Sequence, residues 1–312
     1  MQIFIQTDEK KLLQNGLSFF DTAVALGCFD AMHIGHREII RNVVETAKKK
    51  GLKSLVYFFV NVPRSVLMND HIPQINTLDE RLSILEEMGV DIAVAKEVTP
   101  DFLNLSPEFF VKDILSKEFG AKYICAGFNY RFGKGGIGDA DYLVKLGKDL
   151  GIPINVMPCV ELDGEPVSSS RIRELLQKGR IENANILLGK EFSISGTVIS
   201  GNHIGRTLGF PTVNLEIPKG KMHPAFGVYV TKVKVNNKCY PSITNVGTRP
   251  TIANDGAYIE THLLDFSGDL YEREITIDFH SYLRPIKKFE NTDNLKKQLE
   301  NDKQFARKFF KK

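Results

Sequence analysis

Cysteine is scarce in this 312-residue chain: Cys28, Cys125, Cys159 and Cys239 are scattered and none belongs to a CxxC pair. That spacing argues against a disulfide framework and a zinc ribbon, and it fits a reducing cytoplasm. Net charge is nearly absent, since 41 Lys and Arg stand against 38 Asp and Glu for a formal +3. So small an excess gives no argument for a nucleic-acid partner, and any phosphate must be held locally. No apolar run approaches the ~18 residues of a membrane span. The opening "MQIFIQTDEKK" lacks the basic, apolar and small-residue segments of an export signal, so the expectation is a cytoplasmic protein without a membrane contact. Also missing are an internal repeat and a Pro/Gly/Ser-rich linker. With 42% hydrophobic and 25% charged residues the chain is globular in composition, and its length exceeds the usual size of one core, so two domains are expected.

What is present is an alternation of short apolar runs with helical patterns from residue 22 to about 185. "TAVALGCF" reads as a buried strand, "GHREIIRNVVETAKKKG" as a helix, "KSLVYFFV" as a strand. The helix of "TLDERLSILEEMG" opens on a Thr77 to Glu80 capping box and closes at Gly89; "SPEFFVKDILSKEFG" has Ser106 as cap and Pro107 at its first position. With "DIAVAKEV" and "AKYICAG" as further strands, the order predicts a doubly wound parallel sheet covered by helices on both faces. From residue 192 to 285 the rhythm becomes strands broken by Gly, Pro and Asn turns, which predicts a small antiparallel barrel, and the tail returns to helical spacing. The change of period places a boundary near 186–192, giving domains 1–186 and 187–312.

In a doubly wound sheet, ligands meet the carboxyl ends of strands, where a helix N-terminus faces a phosphate. "LGCFDAMHIGHREII" puts His33 and His36 there, three residues apart on one helical face. Both rings could donate to one phosphoryl group, and Gly35 lets the backbone approach. Cys28, His33 and His36 could alternatively begin a zinc site, but no fourth ligand stands at a typical spacing. In the second half, Gly201, Gly205 and Gly209 suit a tight loop against a polyphosphate, or an ordinary barrel turn. Thr212 and Asn214 of "PTVN" are hard neutral oxygen donors suited to Mg²⁺ bound with nucleotide phosphates.

"GCFDAMHIGH" resembles the first signature of the HxGH nucleotidyltransferases, and "VSSSRIRELL" their second; "AGFNYRFGKGGIGD" is similar to the segment that marks the FMN adenylyltransferases. "GTVISGNHIGRTLGFPTVNL", "NVGTRPT", "ETHLLDF" and "YLRPIKKFEN" resemble the riboflavin kinase module. Seven motifs in one order resemble the family of bacterial bifunctional riboflavin kinase/FMN adenylyltransferases. The resemblance implies that riboflavin and ATP give FMN, and that FMN and ATP then give FAD and pyrophosphate, with Mg²⁺. It implies nucleotide-binding roles for Gly27, Phe29, Asp30, Gly35, Ser168, Ser169, Ser170 and Arg171 beside catalytic His33 and His36. It also implies flavin-binding roles for Asn129 and Arg131, and a general-base role for Glu260.

The chain departs from the pattern in places. Asn61 and Val62 stand where proline and histidine are usual, Gly136 where an arginine is common, and His203 and Ile204 where basic or small residues are more frequent. Lost imidazole and guanidinium groups are lost phosphate donors. Retention of one activity only, more plausibly the kinase, is therefore an alternative, as are adenylyl transfer to another phosphate and a non-catalytic flavin-binding regulator. His71, His223, His262 and His280 match no catalytic motif and read as structural or exposed.

Overall fold

The structure is a computed structural model that describes residues 1–6, 20–68, 72–199, 209–236, 238–248 and 257–311. Contacts gather the chain into two compact units, Met1–Ser169 and Ser170–Lys312.

The first unit is built on a six-stranded sheet: β1 (Gln2–Gln6), β2 (Thr22–Leu26), β3 (Lys53–Phe59), β4 (Ile92–Lys96), β5 (Ala121–Gly127) and β6 (Ile154–Met157), in the order β1-β4-β3-β2-β5-β6. Every pairing is parallel. The central strand β2 is buried along its whole length, and alternate residues feed two cores. Val24 and Leu26 join Tyr57, Phe110, Phe119 and Leu143 on one face. Ala23 and Ala25 join Ile40, Val43, Ile84 and Leu85 on the other. Burial on both faces explains why the strands read as near-continuous apolar runs, and the doubly wound expectation holds.

The helices begin where capping chemistry permits. α1 (Ile34–Lys50) follows β2 and ends at Gly51 in the left-handed region, φ 66°. The short α2 (Pro63–Met68) follows β3. In α3 (Leu78–Glu87) the Thr77–Glu80 capping box is formed in both directions. After the single turn α4 (Pro100–Leu103), Ser106 caps α5 (Pro107–Phe109), which runs on as a π-helical stretch over Phe110–Glu118. α6 (Ala140–Leu150) precedes β6, and a small ribbon, β7 (Glu161–Leu162) and β8 (Glu165–Pro166), precedes α7 (Ser169–Gln177). The edge strands β1 and β6 and helix α6 are additions to the pattern read from sequence.

The second unit carries α8 (Ile181–Leu188) and a closed antiparallel barrel of β9 (Phe192–Ile199), β10 (Val213–Glu216), β11 (Gly227–Val235), β12 (Lys238–Thr248), β13 (Ala257–Leu263) and β14 (Glu274–Arg284). Strand order around the barrel is β10-β13-β12-β11-β14-β9, as the turn-broken strand pattern predicts, with the four-residue β10 added. Part of its interior is polar: the fully buried hydroxyls of Ser242, Thr231, Thr244 and Thr261 form a hydrogen-bonded ladder with spacings of 2.7–2.8 Å. The C-terminal helix α9 (Thr292–Phe309) is fastened by Arg284, whose Nη2 lies 2.7 Å from the buried carboxylate of Asp302.

α8 belongs physically to the barrel. The Asn185 side chain donates to the Phe279 carbonyl of β14 at 2.8 Å and accepts from the Phe192 amide of β9, also at 2.8 Å. A fragment starting at Ser170 therefore melts at a higher temperature than one starting at residue 187. In the longer fragment Asn185→Ala lowers stability by about 1–3 kcal/mol, the cost of stranding buried backbone groups. Thermal unfolding followed by circular dichroism measures both; equal melting temperatures for the two fragments would show that α8 adds nothing to the barrel.

Candidate active sites

In the first unit the chain leaves β2 toward β3 and β4 on one side, while β5 and β6 lie on the other. The gap beyond the paired ends Leu26 and Ala126 is thus the topological switch point, where open parallel sheets bind ligands. The loop from Gly27 to His33 sits there. Its course is tight: Phe29 and Met32 are fully buried yet have φ of 49° and 47°, a left-handed conformation that non-glycine residues adopt at a cost on the order of 1 kcal/mol. The Phe29 ring folds back over Gly27, where a Cβ would lie 2.8 Å from its Cζ. Asp30, also buried, turns inward, and its Oδ1 accepts from the Ile75 amide at 3.1 Å. Behind it the buried Arg81 guanidinium donates to the carbonyls of Phe59 and Val60 at 2.6 and 2.9 Å. Asp30 thereby ties the loop down.

His33 is the N-cap of α1, and its Nδ1 accepts from the His36 amide at 3.2 Å. That bond fixes the tautomer: the ring proton is on Nε2, free to donate elsewhere. The His36 ring stacks on His33 with centroids 3.6 Å apart and meets the Phe29 edge at 5.1 Å. Burial lowers the His33 pKa to about 4, and desolvation followed by the neighbouring His33 holds His36 well below its usual value. Both imidazoles are neutral near pH 7, so they act as hydrogen-bond donors at a helix start whose dipole already favours an anion.

Gly35 lies between them, with the Val160 side chain 3.6 Å from the position of an added Cβ. The Val160 carbonyl in turn accepts from Val167 at 2.9 Å, so Ser168 and Ser169, at the start of α7, follow a residue anchored beside the histidine loop. Ser170 and Arg171 continue that first turn. Asn129 and Arg131 leave the end of β5, adjacent to β2, and both are exposed; Arg131 reaches Asp139 at 3.4 Å. Gly136 has φ 66°, so the arginine common there would be strained by the backbone itself. Asn61 has a structural use: it donates to the Val98 carbonyl at 3.1 Å and accepts from the Val98 amide at 2.8 Å. An amide side chain here copies a strand pairing and locks the end of β3 to the end of β4.

The second site lies on the barrel wall. Register places Asn214 of β10 and Asn245 of β12 on either side of Glu260 of β13. The Thr212 hydroxyl donates to Glu260 Oε1 at 2.6 Å and the Tyr258 hydroxyl to Oε2 at 2.7 Å. Tyr258 went unnoticed in the sequence, although two residues before Glu260 on a strand is the same face. Asn245 also went unnoticed, because only register reveals it. His262 holds the approach, its Nδ1 2.8 Å from the Pro211 carbonyl and its ring against Phe210. Gly209 has φ 81° just before it. Gly201, Gly205, His203 and Ile204 lie outside the described residues, as does His71. His223 stacks on Phe226 and His280 packs against Phe310.

Residues 18–171 match the FAD synthetase family model and residues 188–310 the riboflavin kinase model. The chain is similar to proteins named bifunctional riboflavin kinase/FMN adenylyltransferase, 35% identical in Escherichia coli K12 over 92% of both chains. The similarity is 34% in Bacillus subtilis, over 93% of this chain and 92% of that one. This chain belongs to the bifunctional riboflavin kinase/FMN adenylyltransferase family. A crystallised Streptococcus pneumoniae chain described as a macrolide-efflux protein is 30% identical, with TM-score 0.88 over 98% of this chain and 99% of that one. Among the described residues no helix is long and apolar enough to cross a membrane.

Among the described residues no group of three or more His, Cys, Asp or Glu is arranged to hold a metal ion. The lowered histidine pKa values have a consequence for stability. Folded protein binds fewer protons than unfolded protein between about pH 4 and the ordinary histidine value of 6.5. Stability is therefore complete above that window and falls as pH drops through it, by on the order of 3 kcal/mol for His33 alone. Urea unfolding between pH 7.5 and 4.5 measures this, and His33→Asn, which retains a cap, flattens the dependence.

Proposed function

We propose that the two activities of this transferase are divided between the two units, with adenylyl transfer on the histidine loop within residues 1–186 and phosphorylation on the barrel within residues 187–312. Riboflavin and ATP give FMN and ADP; FMN and ATP give FAD and pyrophosphate. The reading places no nucleic acid or membrane among its partners and the enzyme in the cytoplasm.

On the barrel, the observation that carries most weight is the Thr212–Glu260–Tyr258 hydrogen bonding. It holds a carboxylate by both oxygens at the edge of a site lined with neutral oxygen donors. Glu260 takes the proton of the terminal ribityl hydroxyl as its oxygen forms a bond to the γ-phosphorus of ATP. The bond from that phosphorus to the β-phosphate oxygen breaks, ADP leaves, and the proton passes from Glu260 to solvent. Thr212, whose hydroxyl hydrogen points to Glu260, keeps its lone pairs available, and Asn214 is a buried amide. Two neutral oxygens completed by nucleotide phosphates fit Mg²⁺. Bound there, the ion neutralises phosphate charge. Gly209, with Gly201 and Gly205, is assigned to the polyphosphate.

On the sheet, an FMN phosphate oxygen attacks the α-phosphorus of ATP and pyrophosphate departs. His33 Nε2–H and the His36 ring donate to the oxygens on which charge accumulates, and the helix start adds its unpaired amides. Gly27, Phe29, Asp30 and Gly35 shape the loop for close approach. Ser168, Ser169, Ser170 and Arg171 hold the departing phosphates, and Asn129 and Arg131 meet the flavin nucleotide.

Glu260→Gln keeps the shape of the site and slows FMN formation from riboflavin by about 10²- to 10⁴-fold. An unchanged rate would remove Glu260 from the reaction. His33→Ala with His36→Ala lowers FAD formation from FMN by at least about 10²-fold while FMN still accumulates from riboflavin; chromatographic separation of FMN and FAD reads both. Loss of FMN production in a double variant that remains folded would end the division of labour. Excess EDTA stops FMN formation if the cation assignment holds.

A further inference from the structure

The barrel site contains one polar atom that the chemistry above leaves unused. Asn245 Oδ1 is buried and has no hydrogen-bond partner among the described residues. An orphaned acceptor costs about 1–3 kcal/mol, so its retention beside a reaction centre calls for an explanation in terms of what binds there. Glu260 is the middle member of a lateral row, with Asn214 on its β10 side and Asn245 on its β12 side. Residues directly opposite on neighbouring strands share a face with Cβ atoms roughly 5 Å apart. Glu260 and Asn245 therefore project together, and their side-chain oxygens can approach within the spacing of two hydroxyls on adjacent carbons.

The two flanks of Glu260 differ in kind. On one side stand Asn214 and, bonded to the carboxylate, Thr212; these are the donors assigned to the cation. On the other side stands an acceptor that meets no donor among the described residues. A cation needs oxygen ligands gathered around one point, whereas an isolated acceptor needs an O–H or N–H. Building on the reading that Glu260 deprotonates the terminal ribityl hydroxyl, we propose that Asn245 Oδ1 accepts a hydrogen bond from the neighbouring hydroxyl of the ribityl chain. It is a specificity and positioning residue for the flavin polyol. Two adjacent hydroxyls would then be read by two adjacent acceptors, one of which takes a proton while the other fixes the rotation of the last carbon–carbon bond. Only a substrate carrying a vicinal diol satisfies both.

The test compares riboflavin with 4′-deoxyriboflavin, which lacks that neighbouring hydroxyl, in the intact enzyme and in Asn245→Ala. The wild type discriminates against the deoxy compound by about 5- to 100-fold in kcat/KM, the range for stranding one buried acceptor. In Asn245→Ala the discrimination collapses to within about twofold, because the acceptor and its penalty are removed together. Titration of flavin fluorescence with ADP and Mg²⁺ present shows the same collapse in affinity, independently of turnover. A purely structural role lowers both substrates equally and leaves the ratio intact, which would overturn the proposal. A variant that keeps the ratio but needs more Mg²⁺ for half-maximal rate would assign Asn245 to the cation, and would overturn it too. Glu260→Gln separates the two levels of inference: if it retains full FMN formation, the base assignment itself fails, whatever Asn245 does.

Discussion

The first unit depends on the complete burial of β2. A strand with both faces covered and neighbours on both sides has no freedom of register, so the point where it ends is fixed to within an atom or so by the packing around it. Everything chemical in that unit starts at this end. The chain must reverse into α1 within a few residues, and it does so by accepting left-handed backbone at Phe29 and Met32 and by folding an aromatic ring over Gly27. Asp30 then holds the turn from below through its bond to the Ile75 amide. The cost of that conformation is met by the rigidity of the sheet, and the return is a pair of imidazoles held at the start of a helix.

The two sites use opposite electrostatic strategies. The histidine loop removes water, which keeps both rings uncharged and turns them into directional donors; a permanent positive charge would bind the nucleotide's phosphates in substrate and transition state alike. The barrel site instead keeps a carboxylate and orients it with two hydroxyls. Each strategy suits the reaction proposed for it. Adenylyl transfer from a phosphate nucleophile has no proton to remove, whereas phosphorylation of an alcohol does.

The fold classes and the order of motifs were legible in the sequence because they are local statements. A capping box, a terminal glycine and a period of two or three and a half residues each report on a few consecutive positions. The edge strands β1 and β6 and the short β10 were not legible: β1 is largely exposed and β6 only half-buried, so neither makes the continuous apolar run that reveals β2 and β4, and β10 is read first as the "PTVN" motif. The attachment of α8 to the barrel was also hidden, since an apolar face says that something covers it and not what. Likewise Asp30, placed with the nucleotide by its motif, spends its visible hydrogen bond on the Ile75 amide, a partner forty-five positions away. Tyr258 and Asn245 needed strand register, which no single strand contains.

The hydroxyl ladder inside the barrel has a thermal consequence. Heat-capacity change on unfolding grows with apolar surface exposed to water and shrinks with polar surface. A core in which Ser242, Thr231, Thr244 and Thr261 occupy space that aliphatic side chains usually fill exposes less of the first kind and more of the second. The barrel unit therefore has a flatter dependence of stability on temperature than an aliphatic barrel of equal size, and it keeps more of its stability in the cold.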